Sequence, residues 1–339
     1  MREYTDAYLA ELLPYPSRNA YKYSRGICTL VVGSSSYPGA ACLAAAASQK
    51  VGAGFTEVYV DDPIVQLVQQ YRASFVVRGW NDWSADAENS RKHLPHAFVV
   101  GCGFDIEDPY IGGVTRQLLK AAHGPVVVDG GALRLLSARK IRDLCSQRYA
   151  EGRTTIITPH HGEANALAAV FGVRTDDDEH LAYNLSRAYG AITVLKGPNT
   201  FISTGDETHM MGEGTAVLAK AGTGDVLAGA IGGLLAQGMG PLDACVLGAT
   251  LHARAGNLAA RDLGPIPVCA EDVIDYLPKA IRSTEAARKR DADTEEDAAA
   301  GESAATAEST ATAAVGQGTA GHGSSTSAPH LTGSHLPTI

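Results

Sequence analysis

Six short runs of β-branched and apolar residues recur along the first 200 residues, at Ile27 to Val32, Thr56 to Val60, Ala97 to Val100, Val126 to Val128, Thr154 to Ile157 and Ile192 to Leu195. Unbroken runs of this kind suit strands buried on both faces, since polar and apolar residues alternate only where one face meets water. Longer Ala- and Leu-rich stretches follow the runs, at 38–51, 109–122, 137–148, 163–170, 177–189, 224–236 and 242–260. Strand and helix signals alternating in this order predict an α/β fold, with a mostly parallel central sheet and helices on both faces. The stretch Asn199 to Met210 departs from the pattern. Two β-rich segments there flank Gly205, which predicts a hairpin.

From Ser283 onward the chain has no Phe, Tyr, Trp or Met. Such a segment cannot bury enough apolar surface to offset the entropy of ordering it. The expected organisation is one folded domain over residues 1–282 and a disordered, low-complexity tail over 283–339. The full 339 residues carry 28 Lys and Arg against 37 Asp and Glu, a net charge of −9, of which the tail holds −5. An acidic chain lacks the excess of bases that nucleic acid or an anionic membrane surface would require of a partner. The six cysteines show no paired spacing, so neither a zinc knuckle nor a disulfide framework is indicated, and they read as buried small hydrophobes. No apolar run approaches the roughly 20 residues that cross a bilayer, and the first residues lack a basic segment followed by an apolar one. The cytoplasm is the expected location.

Ligands of parallel α/β sheets collect beyond the carboxyl ends of the strands, so the turns after the runs are the places to search for chemistry. GSSSYPGA (Gly33 to Ala40) leads into a helix with Pro38 at its start, and Gly39 and Ala40 would let a ligand approach the backbone N–H groups. An ordinary strand-to-helix turn explains the same residues equally well. VVGCGFD (Val99 to Asp105) contains a GxG but has Ile106 where a dinucleotide fingerprint needs its third glycine, and GxxxxGK[ST] is absent. In ITPHHGEANAL (Ile157 to Leu167), Glu163 falls in the first turn of a helix, where a carboxylate offsets the helix dipole by about 0.3–1 kcal/mol. His160 and His161 are adjacent and point apart, which argues against a shared metal and leaves one of them to hydrogen-bond a ligand.

The most informative pair of segments is VLKGPNTFIS (Val194 to Ser203) and, about twenty residues on, LAKAGTGDVLAGAIGGLLAQG (Leu218 to Gly238). GTGD opens a helix that is small and apolar on nearly every side, so Asp225 is an isolated ionisable group at its start. Gly222 and Gly224 can turn their N–H groups toward an anion, backed by the helix dipole. An ionised Asp225 beside that anion is placed to take a proton from a hydroxyl attacking a phosphoryl group. A capping carboxylate is the competing role for GTGD alone, and the Lys196–Gly197 turn tips the balance toward catalysis.

Together these segments resemble the NAD(P)H-hydrate dehydratases, a branch of the ribokinase-like fold, from about Gly26 to Ala280. GSSSYPGAACLAAAASQKVGAGF, VVVDGGAL, TPHHGEANAL, LKGPNT and AGTGDVLAG fall in the family's order and spacing. The chain departs from the family pattern at Cys102, Phe104 and Asp105 (GCGFD for the usual GPGLG), at Gly131 (DGGAL for DADAL) and at Thr215, where asparagine is frequent. No α/β unit corresponding to the family's frequently fused epimerase domain is expected before Gly26.

The resemblance implies that Ala40, Gly103, His160 and Asp225 contact hydrated NADH or NADPH, with Asp225 catalytic. It implies that Lys196, Gly197, Pro198, Asn199 and Thr200, with Gly222 and Gly224, hold an adenine nucleotide. ADP or ATP with Mg2+ would serve as co-substrate and ADP is favoured; the metal ligands are not indicated, and the family commonly forms tetramers. The implied activity is that of a hydro-lyase: the ring hydroxyl is phosphorylated and phosphate is then eliminated. A ribokinase-like kinase of a thiazole or pyrimidine alcohol is the competing enzyme, and an inactive nucleotide-sensing module the competing non-enzyme.

Overall fold

A computed structural model describes residues 4–84, 90–173 and 177–286. Among these residues nine strands form one sheet: β1 Ile27–Val31, β2 Phe55–Val60, β3 Val76–Gly79, β4 His96–Val100, β5 Val126–Val128, β6 Thr155–Ile157, β7 Ile192–Leu195, β8 Thr200–Ser203 and β9 Thr208–Met211. Their spatial order is β3-β2-β1-β4-β5-β6-β7-β8-β9. Every pairing from β3 to β7 is parallel, and β8 and β9 add the antiparallel hairpin expected around Gly205. All six apolar runs become strands, and β1, β4, β5 and β6 are buried along their whole length.

One face of the sheet is covered by α2 (Pro38–Lys50), α9 (Thr223–Ala236), α10 (Pro241–Leu263) and a last helix, α11, described over residues 270–286. The other face carries α4 (Ile111–Ala121), α6 (Arg139–Ala150), α7 (His161–Ala169) and α8 (Asp178–Tyr189). Among the described residues three shorter helices, α1 (Asp6–Glu11), α3 (Val65–Tyr71) and α5 (Gly131–Leu135), complete the set; these, α11 and β3 were not anticipated. The edge strand β3 escaped notice because only Val76 and Val77 in it are apolar and Arg78 faces water.

Helix α9 packs directly against α2 and β4 because its glycines leave no gap. A Cβ on Gly229 would fall 2.1 Å from the carbonyl oxygen of Ala44 in α2, one on Gly233 2.5 Å from that of Ser48, and one on Gly232 2.3 Å from Val99 Cγ2 in β4. The Ala-rich sequence of α2 is the matching surface, with Ala41, Ala44, Ala45, Ala46 and Ala47 fully buried.

The edge of the sheet away from the carboxyl ends is tied by Arg148 of α6. Although fully buried, its guanidinium donates to Leu119 O (3.1 Å), Ala122 O (2.7 Å), Gly124 O (2.7 Å), Thr154 O (3.1 Å) and Thr155 Oγ1 (3.1 Å). Burial, with a smaller contribution from Arg153, lowers its pKa to about 10, so it stays charged near neutrality.

Helix α11 runs past the anticipated boundary at Ser283. Thr284 is buried and its hydroxyl accepts from Arg254 Nη1 at 2.8 Å, which anchors the helix beyond the point where apolar residues thin out. The tail from residue 287 lies outside the described residues. Among the described residues no helix is long and apolar enough to cross a membrane. Five of the six cysteines are buried as anticipated; Cys269 is exposed.

Candidate active site

Register decides what meets at the carboxyl edge. Val31 pairs with Val100, Val100 with Val128 and Val128 with Ile157, so β1, β4, β5 and β6 end level. The residues just beyond the strands therefore come together: Asp129 directly after β5, Thr158 directly after β6, and Cys102 two places after β4. The ladder continues through Asp129 N–H to Val100 O (3.0 Å) and Thr158 N–H to Val128 O (3.2 Å). One strand further, Lys196 N–H donates to Pro159 O (2.9 Å), which aligns Lys196 with His160.

Asp129, only 3% exposed, is the hub of this edge. Its Oδ1 accepts from Lys196 Nζ (2.9 Å) and Thr158 Oγ1 (2.6 Å), and its Oδ2 faces Cys102 Sγ at 3.7 Å. Asp225, in the first turn of α9, completes the group. One ligand atom each from Cys102, Asp129 and Asp225 lies within 4.8 Å of the others.

Burial first, and then the neighbouring Asp129 charge, push the Asp225 pKa up to about 7, with Lys196 and the Cys102 thiol pulling the other way. The carboxylate expected to be permanently ionised is therefore poised to gain or lose a proton near neutrality. Burial works against the charge on Lys196, but Asp129 and Glu163 outweigh it and hold the ammonium more firmly than usual. The Cys102 thiol is raised well above its ordinary value by burial and by both carboxylates, so it keeps its proton.

The GTGD segment makes a tight turn at the start of α9. Gly222 caps α9 at φ +90°, a left-handed conformation, and a Cβ there would strike Leu43 Cδ1 at 2.6 Å. Thr223 Oγ1 bonds back to Leu218 O (2.7 Å) and Lys220 O (2.8 Å), which fixes the turn. Lys196 Nζ lies 3.3 Å from the point that a Cβ on Gly224 would occupy. The helix N-terminus and the ammonium thus converge.

They converge at a cavity of about 490 Å³, in the size range of small-ligand pockets. Of the residues expected to hold a nucleotide, Lys196, Gly197, Pro198, Thr200 and Gly224 line it, as does His160; Asn199, which is exposed, and Gly222 do not. Leu218, Leu227 and Ala249 give it apolar walls, and Glu213 to Ala216 form one side, including Thr215. Glu213 is held from behind by Arg254 of α10, whose Nε and Nη2 donate to its carboxylate at 2.7–3.1 Å while Nη2 also bonds Asp6 of α1. His252 of α10 lies on the same wall, kept neutral by burial, which lowers its pKa to about 4.

Ala40 and Gly103 meet each other rather than the cavity. A Cβ on Gly103 (φ +68°) would lie 2.6 Å from Ala40 Cβ, and Ser34 Oγ donates to Gly103 O at 2.7 Å. The flanking loop is pinned by two acids: Ser35 Oγ donates to Asp61 (2.6 Å) and Ser36 Oγ to Asp105 (2.6 Å), which lowers the pKa of Asp105. Two of the departures from the family pattern fit together, since a Cβ on residue 131 would come 2.6 Å from the carbonyl oxygen of Phe104.

His160 has a role that the sequence reading missed. Its Nδ1 accepts from Gly162 N–H (3.0 Å) and Glu163 N–H (3.3 Å), while the His160 backbone N–H donates to Glu163 Oε2 (2.9 Å), a reciprocal cap on α7. Its ring remains 61% exposed. His161 turns away to Asp178 (3.1 Å), so the two histidines share no site. The sequence reading also missed Asp129 and Cys102 as members of the site. Asp129 was signalled, as an acid directly after an apolar run; Cys102 was not.

A family model described as NAD(P)H-hydrate dehydratase matches residues 28–279. The ADP-dependent (S)-NAD(P)H-hydrate dehydratase of Neisseria meningitidis is 32% identical over 241 residues, 70% of this chain and 78% of that protein. The bifunctional NAD(P)H-hydrate repair enzyme Nnr of Salinibacter ruber is 32% identical over 289 residues, 82% of this chain, which spans about half (52%) of that longer relative. The Bacillus subtilis ADP/ATP-dependent NAD(P)H-hydrate dehydratase, crystallised with ATP and Mg2+, superposes with a TM-score of 0.69 at 25% identity, over 83% of this chain and 98% of that one. A ribokinase-like superfamily protein of Enterococcus faecalis shares the fold, with a TM-score of 0.67 at 21% identity over 83% and 95% of the two chains.

Proposed function

The chain belongs to the NAD(P)H-hydrate dehydratase family, and from that membership we propose that it restores NADH and NADPH from their hydrates at the expense of ADP or ATP. The observation that carries this reading is Lys196 between Asp129 and the N-terminus of α9, with the Asp225 carboxyl grouped against Asp129.

The hydrate bears a hydroxyl on the carbon next to the ring nitrogen, and hydroxide leaves poorly. Asp225 takes the hydroxyl proton as the oxygen attacks the terminal phosphoryl group of the nucleotide, whose remainder departs. Charge developing on the phosphoryl oxygens is met by the N–H groups of Gly222 and Gly224 and by Lys196, each contribution on the order of 3 kcal/mol. The ring nitrogen lone pair then expels phosphate, and loss of the neighbouring proton restores the dihydropyridine. Gly197, Pro198, Asn199 and Thr200 hold the nucleotide in this reading. Ala40 and Gly103 face the hydrate, and the exposed Nε2 side of His160 orients it.

Mg2+ accompanies the nucleotide in the proposal. The Cys102–Asp129–Asp225 group is a poor cage for it, because the thiol is a soft ligand and Lys196 already occupies Asp129 Oδ1. Phosphate oxygens and water would have to hold the ion. A cytoplasmic tetramer belongs to the same proposal, supported by the family resemblance, and sedimentation tests the tetramer.

Incubation with hydrated NADH, Mg2+ and ADP or ATP is expected to restore NADH absorbance. No recovery with either nucleotide would overturn the proposal. A kinase of small alcohols would instead consume nucleotide and restore nothing, and a sensing module would bind nucleotide without consuming it.

A further inference from the structure

Two carboxylates and one ammonium meet at the carboxyl edge of the sheet, and the thiol of Cys102 sits with them. Its Sγ is fully buried, lies 3.7 Å from Asp129 Oδ2 and, with one oxygen of each acid, falls within a 4.8 Å group. The opposite oxygen of Asp129 already accepts from Lys196 and Thr158. Lys196 and Thr158 thus both approach Asp129 from the side away from Cys102.

We propose that Cys102 is a positioning residue for Asp225, its thiol supplying the hydrogen that lies between the facing carboxylates and so leaving Asp225 available as a base. The thiol needs only to keep its proton for this. Burial and the two acids ensure that it does. No bond to sulfur forms and no electron moves, since the S–H group shares its hydrogen with whichever carboxylate carries more charge. When Asp225 has given up its proton, the thiol relieves part of the repulsion from Asp129, and the cost of the ionised base falls accordingly. The groups acting on Asp225 are Asp129 at the end of β5, Lys196 at the end of β7 and Cys102 beyond β4. His252 on α10 is neutral at the pH of interest.

The inference rests on Asp225 being the base of the proposed reaction, and its test separates the two. In the full chain, the Asp225 carboxyl is followed by carbon-13 NMR, with Asp225→Asn assigning the resonance, and the pH profile of NADH recovery is measured in parallel. Cys102→Ala is expected to raise both the titration midpoint and the acid limb of kcat/KM by about one pH unit, the scale of one hydrogen bond to a charged group. The alkaline plateau should stay unchanged. Cys102→Ser, which keeps a donor, should restore both values toward those of the parent and serves as the comparison if the alanine variant folds poorly. A titration midpoint that does not move in Cys102→Ala overturns the inference, as does a lowered plateau with an unmoved limb, because a packing defect alone would give that result. A midpoint that moves while no NADH is recovered from any variant supports the role of Cys102 and sinks the dehydratase reading instead.

Discussion

Lys196 Nζ bonds Asp129 Oδ1 at 2.9 Å across the carboxyl edge of the sheet, from the end of β7 to the end of β5, with the end of β6 between them. The pair neutralises an acid that is 3% exposed and leaves the ammonium facing the N-terminus of α9. One side chain therefore serves stability and ligand charge together. Lys196→Met is expected to destabilise the domain by about 3 kcal/mol, because removing one partner strands a buried charge, and to weaken ADP and ATP binding. Denaturant melts and calorimetric titration measure the two losses; a variant within about 1 kcal/mol of the parent would contradict the first.

Asp225→Asn should bind nucleotide with nearly the parent affinity and lose about a hundredfold or more in turnover, the scale of a missing general base. Rapid-quench measurement of phosphoryl transfer checks the step directly. Normal transfer in the variant would remove Asp225 from the chemistry.

With the Asp225 pKa pushed up to about 7, the base is protonated and idle in acid. NADH recovery at limiting substrate should fall about tenfold per pH unit below that value and level off above it. Stability runs in the opposite sense. A carboxyl whose folded pKa exceeds its ordinary 3.8 stabilises the fold fully below that value, and the contribution is lost as pH rises through about 7. At pH 8 Asp225→Asn should consequently melt no lower than the parent, and a lower Tm there would contradict the assigned direction.

Arg254 ties Glu213, on one side of the cavity, to Asp6 of α1 and Thr284 of α11. Arg254→Met is expected to raise the KM for nucleotide several-fold while leaving kcat within about twofold, since the residue holds a wall and lies away from the reacting groups. An equal loss in kcat would indicate that the network reaches Asp225.

Much of this arrangement was legible in the residues. Continuous apolar runs gave away the six inner strands, and GTGD gave away the turn that opens α9, because each depends on a few neighbours along the chain. Asp129 and Cys102 were harder to see for a physical reason. Their meeting depends on the register of β4 against β5, which no local pattern encodes, and a cysteine in an apolar stretch has the composition of core whether or not it faces a carboxylate. His160 was read as a ligand-facing group alone because histidine is an unusual helix cap, and its backbone partners emerge only once α7 is seen to begin there.

The glycine seam between α9, α2 and β4 reverses the familiar map of which positions can vary. Gly229, Gly232 and Gly233 have no room for a single methyl group, although none of them lines the cavity, whereas Pro198 and Ala216, which do line it, are exposed. Drift in this lineage would find it easier to alter what the pocket accepts than to alter the helix that presents the base. Diversity should accumulate at the mouth, with the seam behind it nearly frozen.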